Sequence, residues 1–223
     1  MERVPEPELM DDPAQVLAYA AADFAATDAA LVERLSGLCG GDPGPRLLDL
    51  GCGPGNISFH LAQRWPRATV LGLDGSAAML ELARQRQAAE PQLAGRLHWR
   101  QARLPLAASE APLGRFSALV SNSLLHHLHD PQVLWGALAA LAAPRAWVLV
   151  RDLRRPADPA ALEALVTEQM AGAPAVLQRD YRASLAAAFT PAEVRAQLDQ
   201  AGLGSLRVAV LPPRYLEVWG AMA

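Results

Sequence analysis

Apolar and polar positions change rhythm along this chain, and the rhythm predicts its elements. The proline- and acid-rich start, residues 1–12, reads as frayed. From Pro13 to about Gly37 apolar residues recur at helical spacing: Val16, Leu17, Ala20 and Phe24, then Leu31, Val32 and Leu35. One long helix, or two with a bend near Thr27-Asp28, fits that spacing, and Gly40 to Pro45 is a loop. Short apolar runs then alternate with helical ones. Leu47–Leu50, Ala68–Leu73, Arg96–Gln101, Phe116–Ser121 and Ala146–Val150 read as strands. Pro54–Gln63, a stretch capped by Ser76 and running to about Ala88, and one opened by Asp130-Pro131 and running to about Ala142 read as helices.

Strands alternating with helices of this size predict an α/β fold, a mostly parallel sheet covered on both faces. Residues 154–189 interrupt the rhythm with helical pieces at Pro159–Met170 and Asp180–Phe189. Thr190-Pro191-Ala192-Glu193 has the order of a capping box, and its helix stops at Gly202. Two final strand-like runs, Ser205–Leu211 and Tyr215–Gly220, predict an antiparallel pair at the sheet edge. The expected organisation is one domain over 1–223, with a helical lid at 1–40 and a helical cap inserted at 154–189.

Composition narrows the functions. The net charge of −3 gives no electrostatic reason to expect nucleic acid. Every one of the 20 basic residues is arginine, so a Schiff-base lysine and a P-loop lysine are both excluded. Two cysteines, Cys39 and Cys52, make neither a disulfide framework nor a metal cluster. There is no apolar run of membrane-spanning length and no leader-like start, so no membrane is expected and a cytoplasmic protein is the default.

The chemistry concentrates in Arg46-Leu47-Leu48-Asp49-Leu50-Gly51-Cys52-Gly53-Pro54-Gly55-Asn56, a strand running through alternate glycines into a helix. Glycines there let a backbone approach a nucleoside-like ligand closely. A dinucleotide fingerprint needs G-x-G-x-x-G, whereas these glycines stand at 51, 53 and 55 with Asn56 in the last place, which weakens an NAD reading. Asp74, ending the second strand, suits ribose hydroxyls in either reading.

Leu48-Asp49-Leu50-Gly51-Cys52-Gly53-Pro54-Gly55, then Leu71-Gly72-Leu73-Asp74-Gly75-Ser76 with Met79-Leu80, and Ser121-Asn122-Ser123-Leu124-Leu125-His126-His127-Leu128 after the fourth strand resemble the class I S-adenosylmethionine (SAM)-dependent methyltransferases of small-molecule type. The resemblance covers roughly 45–153. It implies a Rossmann-like doubly wound sheet of about seven strands, mostly parallel with an antiparallel edge strand, and SAM as cofactor. It also implies that Gly51, Gly53 and Gly55 pass along the methionine part of SAM while Asp49 helps hold its ammonium group, with Asn56 a further cofactor-binding residue. Asp74 would take the ribose hydroxyls, with Gly75 and Met79 near the adenosine. Ser121 and Asn122 would meet the ammonium end through their main chain, and Tyr19 with Phe24 would close over the cofactor. The family's usual acid after strand three is missing in Gln101-Ala102-Arg103-Leu104-Pro105, so adenine contact falls to the backbone at Ala102 and Arg103.

For the reaction, His126 and His127 lie at the carboxyl end of strand four, where open α/β sheets place ligands, and imidazole titrates near neutrality. Either can act as a general base; packing on the cofactor or capping the loop is the plainer role. Asp152, past strand five, and Tyr181, in the cap, are further catalytic candidates, against a simple ion pair and a solvated helix face. No metal ligands are predicted. Nitrogen methylation of exocyclic amines, cytosine C5 methylation, ribose methylation, arsenic methylation and catechol-type metal chemistry each need residues that this sequence does not present. An unidentified small-molecule acceptor, methylated at O, N, C or S, is the expected partner. A non-catalytic SAM-binding protein and an NAD-dependent oxidoreductase are the alternatives.

Overall fold

The computed structural model describes residues 1–107 and 113–223, and within them seven strands build one sheet. In chain order they are β1 (Arg46–Leu50), β2 (Thr69–Asp74), β3 (Leu97–Gln101), β4 (Phe116–Asn122), β5 (Ala142–Leu153), β6 (Arg207–Leu211) and β7 (Tyr215–Ala221). They lie side by side as β3-β2-β1-β4-β5-β7-β6. β1 to β5 are parallel, and β7 pairs antiparallel with both β5 and β6. The expected antiparallel pair thus closes one edge, with the reversed strand one place in from it.

The helices are α1 (Pro13–Ala21), α2 (Ala25–Leu38), α3 (Asn56–Arg64), α4 (Ala77–Ala88), α5 (Gln132–Leu141), α6 (Pro159–Gln169), α7 (Ala175–Ala187) and α8 (Pro191–Gln200). Strand side chains alternate between faces, which sorts the core into two layers. Leu48, Leu50, Leu119, Val148 and Val150 face Leu134, Trp135 and Leu138 of α5 and Val194 and Leu198 of α8. Leu47, Val70, Ala118, Val120 and Leu149 face Leu31, Val32 and Leu35 of α2 and Ile57, Phe59 and Leu61 of α3. The capping box at Thr190 and Glu193 forms as expected, and Ser76 caps α4 by accepting from the Met79 amide. No helix among the described residues is long and apolar enough to cross a membrane.

Three boundaries differ from expectation. The bend in the first helical stretch falls at residues 22–24 rather than at Thr27-Asp28, because Asp23 accepts from the Ala25 amide and restarts the helix there. β5 begins at Ala142, four residues early, through a register shift against β4 and a positive φ at Arg145. α7 begins at Ala175, directly after Pro174, instead of at Asp180.

The amino-terminal segment is the larger correction. Residues 1–12 are not frayed: the Val4 amide donates to the Ala186 carbonyl at 3.0 Å. Arg3 donates to the carbonyls of Ala187 (2.6 Å), His126 (3.0 Å) and Leu128 (2.9 Å), with its guanidinium 4.0 Å from the centre of the Phe189 ring. Helix ends leave carbonyls without partners and carry partial negative charge, so the last turn of α7 and the short 3-10 turn Leu125–His127 together attract one arginine. The segment is drawn as a strap across the carboxyl ends of the strands.

Candidate functional site

At the β1–β4 boundary the strand order reverses, and the crevice outside the carboxyl ends there is where open α/β sheets bind ligands. A cavity of about 670 Å³ occupies that place, within the usual size of small-molecule sites.

One end of the cavity is made by backbone. The Gly51 and Cys52 amides donate to the Leu73 carbonyl (2.8 and 3.1 Å), which ties the loop after β1 to the end of β2. Asp74 accepts from the Gly53 amide through Oδ2 and from the Ser76 amide through Oδ1, both at 2.8 Å. Gly51 has φ +73, and a Cβ there would stand 2.9 Å from Leu124, so only glycine suits the turn. Gly51, Gly53, Asp74, Gly75, Met79, Ala102, Arg103, Asn122 and Tyr19 line this end, as the sequence reading expects.

Other predicted cofactor residues stand behind the wall, each for a local reason. Asp49 points the other way along the two-residue period of β1, into the α3 layer, where Ser58 Oγ donates to it at 2.6 Å. Ser121 donates through Oγ to the Leu50 carbonyl at 2.9 Å and fastens β4 to β1. Gly55 backs onto the Trp99 ring, 2.5 Å from where a Cβ would sit. Asn56 accepts from Arg86 at 2.9 Å and hydrogen-bonds Asp28.

Three acids gather here with raised pKa values. Burial lifts Asp49 to about 7 against the Ser58 bond, with Asp74 and Asp28 pushing the same way. Burial lifts Asp28 to about 6, against Arg86, Asn56 and Arg151. Asp74 is raised by burial and partly restored by the amides of Ser76 and Gly53. Tyr19 is raised by its own burial and then by these acids. Such a cluster favours a cationic ligand.

The other end is made by side chains. His126 is buried, and its Nδ1 lies 2.6 Å from Asp152 Oδ1, while the Leu125 amide donates to Asp152 Oδ2 at 2.7 Å. On the far side Glu6 Oε1, from the strap, stands 3.5 Å from His126 Nε2 and 3.3 Å from His127 Nδ1. The two imidazole rings pack at a tilt of 34° with centroids 4.2 Å apart. Burial lowers His126 but Asp152 outweighs it and the net shift is upward; burial lowers His127 to about 3, with His126 adding to the shift. Tyr181 sits beside Arg214, whose guanidinium is 5.8 Å from its ring centre, and burial raises its phenol. His126, His127 and Tyr181 line the cavity. Asp152 does not: it acts on the site only through His126 and the Leu125 amide.

Sequence reasoning missed several wall residues. Pro7 to Met10, from the strap, line the cavity, and Leu9 lies 2.7 Å from where a Cβ on Gly75 would be; no pattern in residues 1–12 points to this. Asp28 had a signal, an acid three, four and seven residues before Leu31, Val32 and Leu35 on an apolar helix face. Tyr215 had one too, since an antiparallel partner for β5 brings the start of β7 beside Leu153.

Residues 48–148 match a family model described as a methyltransferase domain. The trans-aconitate 2-methyltransferase of Azoarcus sp. (strain BH72) is 38% identical over 113 residues, 47% of this chain and 41% of that protein. The enzyme of the same name from Streptomyces coelicolor is 52% identical over 77 residues, 33% of this chain and 23% of that protein. The chain thus spans less than half the length of these curated relatives. Among solved structures, a SAM-dependent methyltransferase from Aquifex aeolicus aligns over 96% of this chain and 100% of its own, at 16% identity and a TM-score of 0.66. The plantazolicin methyltransferase BamL, crystallised with a triazolic desmethylPZN analog and SAH, aligns over 94% of this chain and 91% of its own, at 13% identity and a TM-score of 0.74. At such identities these are likenesses of fold.

Proposed function

We propose that this chain, a member of the class I SAM-dependent methyltransferase family through residues 48–148, transfers the methyl group of SAM to a small-molecule or peptide acceptor. The observation that carries the proposal is the continuity of the cavity, which runs from Gly53 and Asp74 to His127, Tyr181 and Arg214. Cofactor and acceptor would share one space.

In this reading Asp74 takes the ribose hydroxyls, Gly75, Met79, Ala102 and Arg103 border the adenosine, and Gly51, Gly53 and Asn122 follow the methionine part. Asp28 and Asp74 supply negative potential for the ammonium and sulfonium groups, Asp49 stands behind them as a partly protonated acid, and Tyr19 covers them. Gly55, Asn56 and Ser121 hold the loop from behind. Residues 1–40 act as lid and 154–189 as cap on a single domain, with cytoplasmic location as the default. The acceptor lies near His126, His127 and Tyr181, and Asp152 orients His126.

The reaction is a displacement at carbon. A lone pair on the acceptor forms the new bond to the methyl carbon, the carbon–sulfur bond breaks, and sulfur leaves as a neutral thioether. Charge is lost rather than created, so the protein contributes mainly by alignment. A non-catalytic SAM binder would have its acceptor end filled by the cap; the open cavity beneath α7 favours catalysis instead. The family match ends at residue 148, short of α6, α7 and β7, so the relatives' named acceptor is not carried over.

Titration with SAM and, separately, NAD, followed by turnover against a panel of small acids, alcohols, amines and thiols with SAH detected by mass spectrometry, tests this. SAM binding with SAH formation on at least one acceptor is expected; absence of SAM binding overturns the proposal.

A further inference from the structure

The strap carboxylate Glu6 meets the two histidines in an arrangement that hydrogen bonding does not explain. Glu6 Oε1 and His127 Nδ1 are both buried, and neither makes a hydrogen bond of acceptable geometry. Glu6 is held from its other oxygen, which accepts from Ser184 Oγ at 3.3 Å, and its side chain retains 10% exposure. His126 Nδ1 is committed to the Asp152 carboxylate; in the neutral ring the proton then sits on Nδ1 and the Nε2 lone pair faces Glu6. Leaving such groups unpaired in a protein interior is costly. Asp152 and Asp180 add negative charge around Glu6, opposed by His126 and by Arg3 of the strap. Something positive belongs between these atoms.

We propose that Glu6 Oε1, His126 Nε2 and His127 Nδ1 form a binding site for a divalent cation of the zinc class. Each of the three residues offers a ligand atom, and those atoms lie within 4.8 Å of one another. A tetrahedron with bonds of about 2.0–2.1 Å has edges of about 3.3–3.4 Å. The two separations from Glu6, 3.3 and 3.5 Å, lie at and just beyond that length. Two imidazoles with one carboxylate is a borderline-soft donor set that suits zinc, cobalt, nickel or ferrous iron and not magnesium, which prefers oxygen and water. The contact from Asp152 to the far nitrogen of His126 fixes the ring's orientation, as carboxylates ordinarily do for metal-bound histidines. Because His126 and His127 line the cavity, an ion there has an open side toward it, where an oxygen or nitrogen of the acceptor can complete the coordination. The site also links the strap to the sheet, since Glu6 is the ligand that the strap brings.

The test uses the untagged full chain after chelator treatment and dialysis. Calorimetric titration with Zn²⁺ is expected to give one equivalent per chain, confirmed by elemental analysis, with Co²⁺ competing and Mg²⁺ failing to compete. Glu6→Gln and His127→Ala should each weaken Zn²⁺ binding tenfold or more. Asp152→Asn, a change outside the ligand set, should weaken it by about 10–100-fold. SAM affinity and the thermal unfolding profile, recorded for each variant without metal, separate loss of the site from loss of the fold, and they report on the methyltransferase reading independently. No stoichiometric Zn²⁺ in the wild-type chain overturns the proposal, in favour of a proton shared between His126 and Glu6. Undiminished Zn²⁺ binding in both Glu6→Gln and His127→Ala overturns it equally.

Discussion

The two ends of the cavity are built on different plans. At the cofactor end the groups come from neighbouring strand ends and are already satisfied: Asp74 and Gly53, 21 residues apart, are hydrogen-bonded, and Asp49 holds Ser58. At the acceptor end the defining contacts join residues 184 and 178 apart, Arg3 with Ala187 and Glu6 with Ser184. Polar atoms of Glu6, His127 and Asp180 are left there without partners. The first end is organised before any ligand arrives; the second is organised around what it will hold. Preorganised donors lose little on binding, whereas buried groups without partners discriminate sharply among ligands.

Four experiments sharpen or break that contrast. The largest expected effect concerns the buried acids. Asp49, at about 7 when folded against an ordinary value of 3.8, keeps its proton in the native state after the unfolded chain has lost it. Stability of the ligand-free protein should therefore fall as pH rises from about 4 to about 7 and level off above that. The slope from this group approaches about 1.4 kcal/mol per pH unit, on the order of 4 kcal/mol across the window. Asp49→Asn should flatten the fall, measured by denaturant unfolding at a series of pH values; an unchanged pH profile would show that Asp49 is ionised in the native state.

Next in size is Asp74→Ala, which removes the expected partner of two ribose hydroxyls. SAM affinity should drop by roughly 100-fold, about 2.8 kcal/mol, by calorimetry. An unchanged Kd would remove Asp74 from the cofactor site. Arg3→Ala follows, at about 2 kcal/mol, since it strands carbonyls of Ala187, His126 and Leu128. Hydrogen exchange at the Val4 amide, now bonded to Ala186, should speed up roughly 30-fold, while amides of β1 and β4 keep their protection. If the Val4 amide exchanges freely in the wild type, the strap is not docked and does not wall the acceptor end. The smallest effect is expected from Tyr181→Phe. KM for the acceptor should rise by roughly three- to tenfold with the Kd for SAM unaltered, because Tyr181 belongs to the acceptor end alone. A change in SAM affinity instead would erase the division between the two ends.

The sequence by itself determined the sheet, its mostly parallel sense, the antiparallel pair at one edge and the glycine loop with Asp74. Those features rest on interactions of short range: a two-residue alternation within strands, a cap such as Ser76 or Thr190, a turn that only Gly51 can make. Pattern along the chain records such things because the interacting groups are neighbours in it. It recorded less well which way a strand residue points once two faces are both buried, and so Asp49 stands behind the wall rather than in it. Only the tertiary structure decided that residues 1–10 are a strap, that Glu6 meets His126 and His127, and that Asp152 reaches the cavity lining through His126. Those contacts are fixed by where the end of α7 and the turn after β4 leave carbonyls exposed. That is a property of packed elements, and no local run of residues carries it.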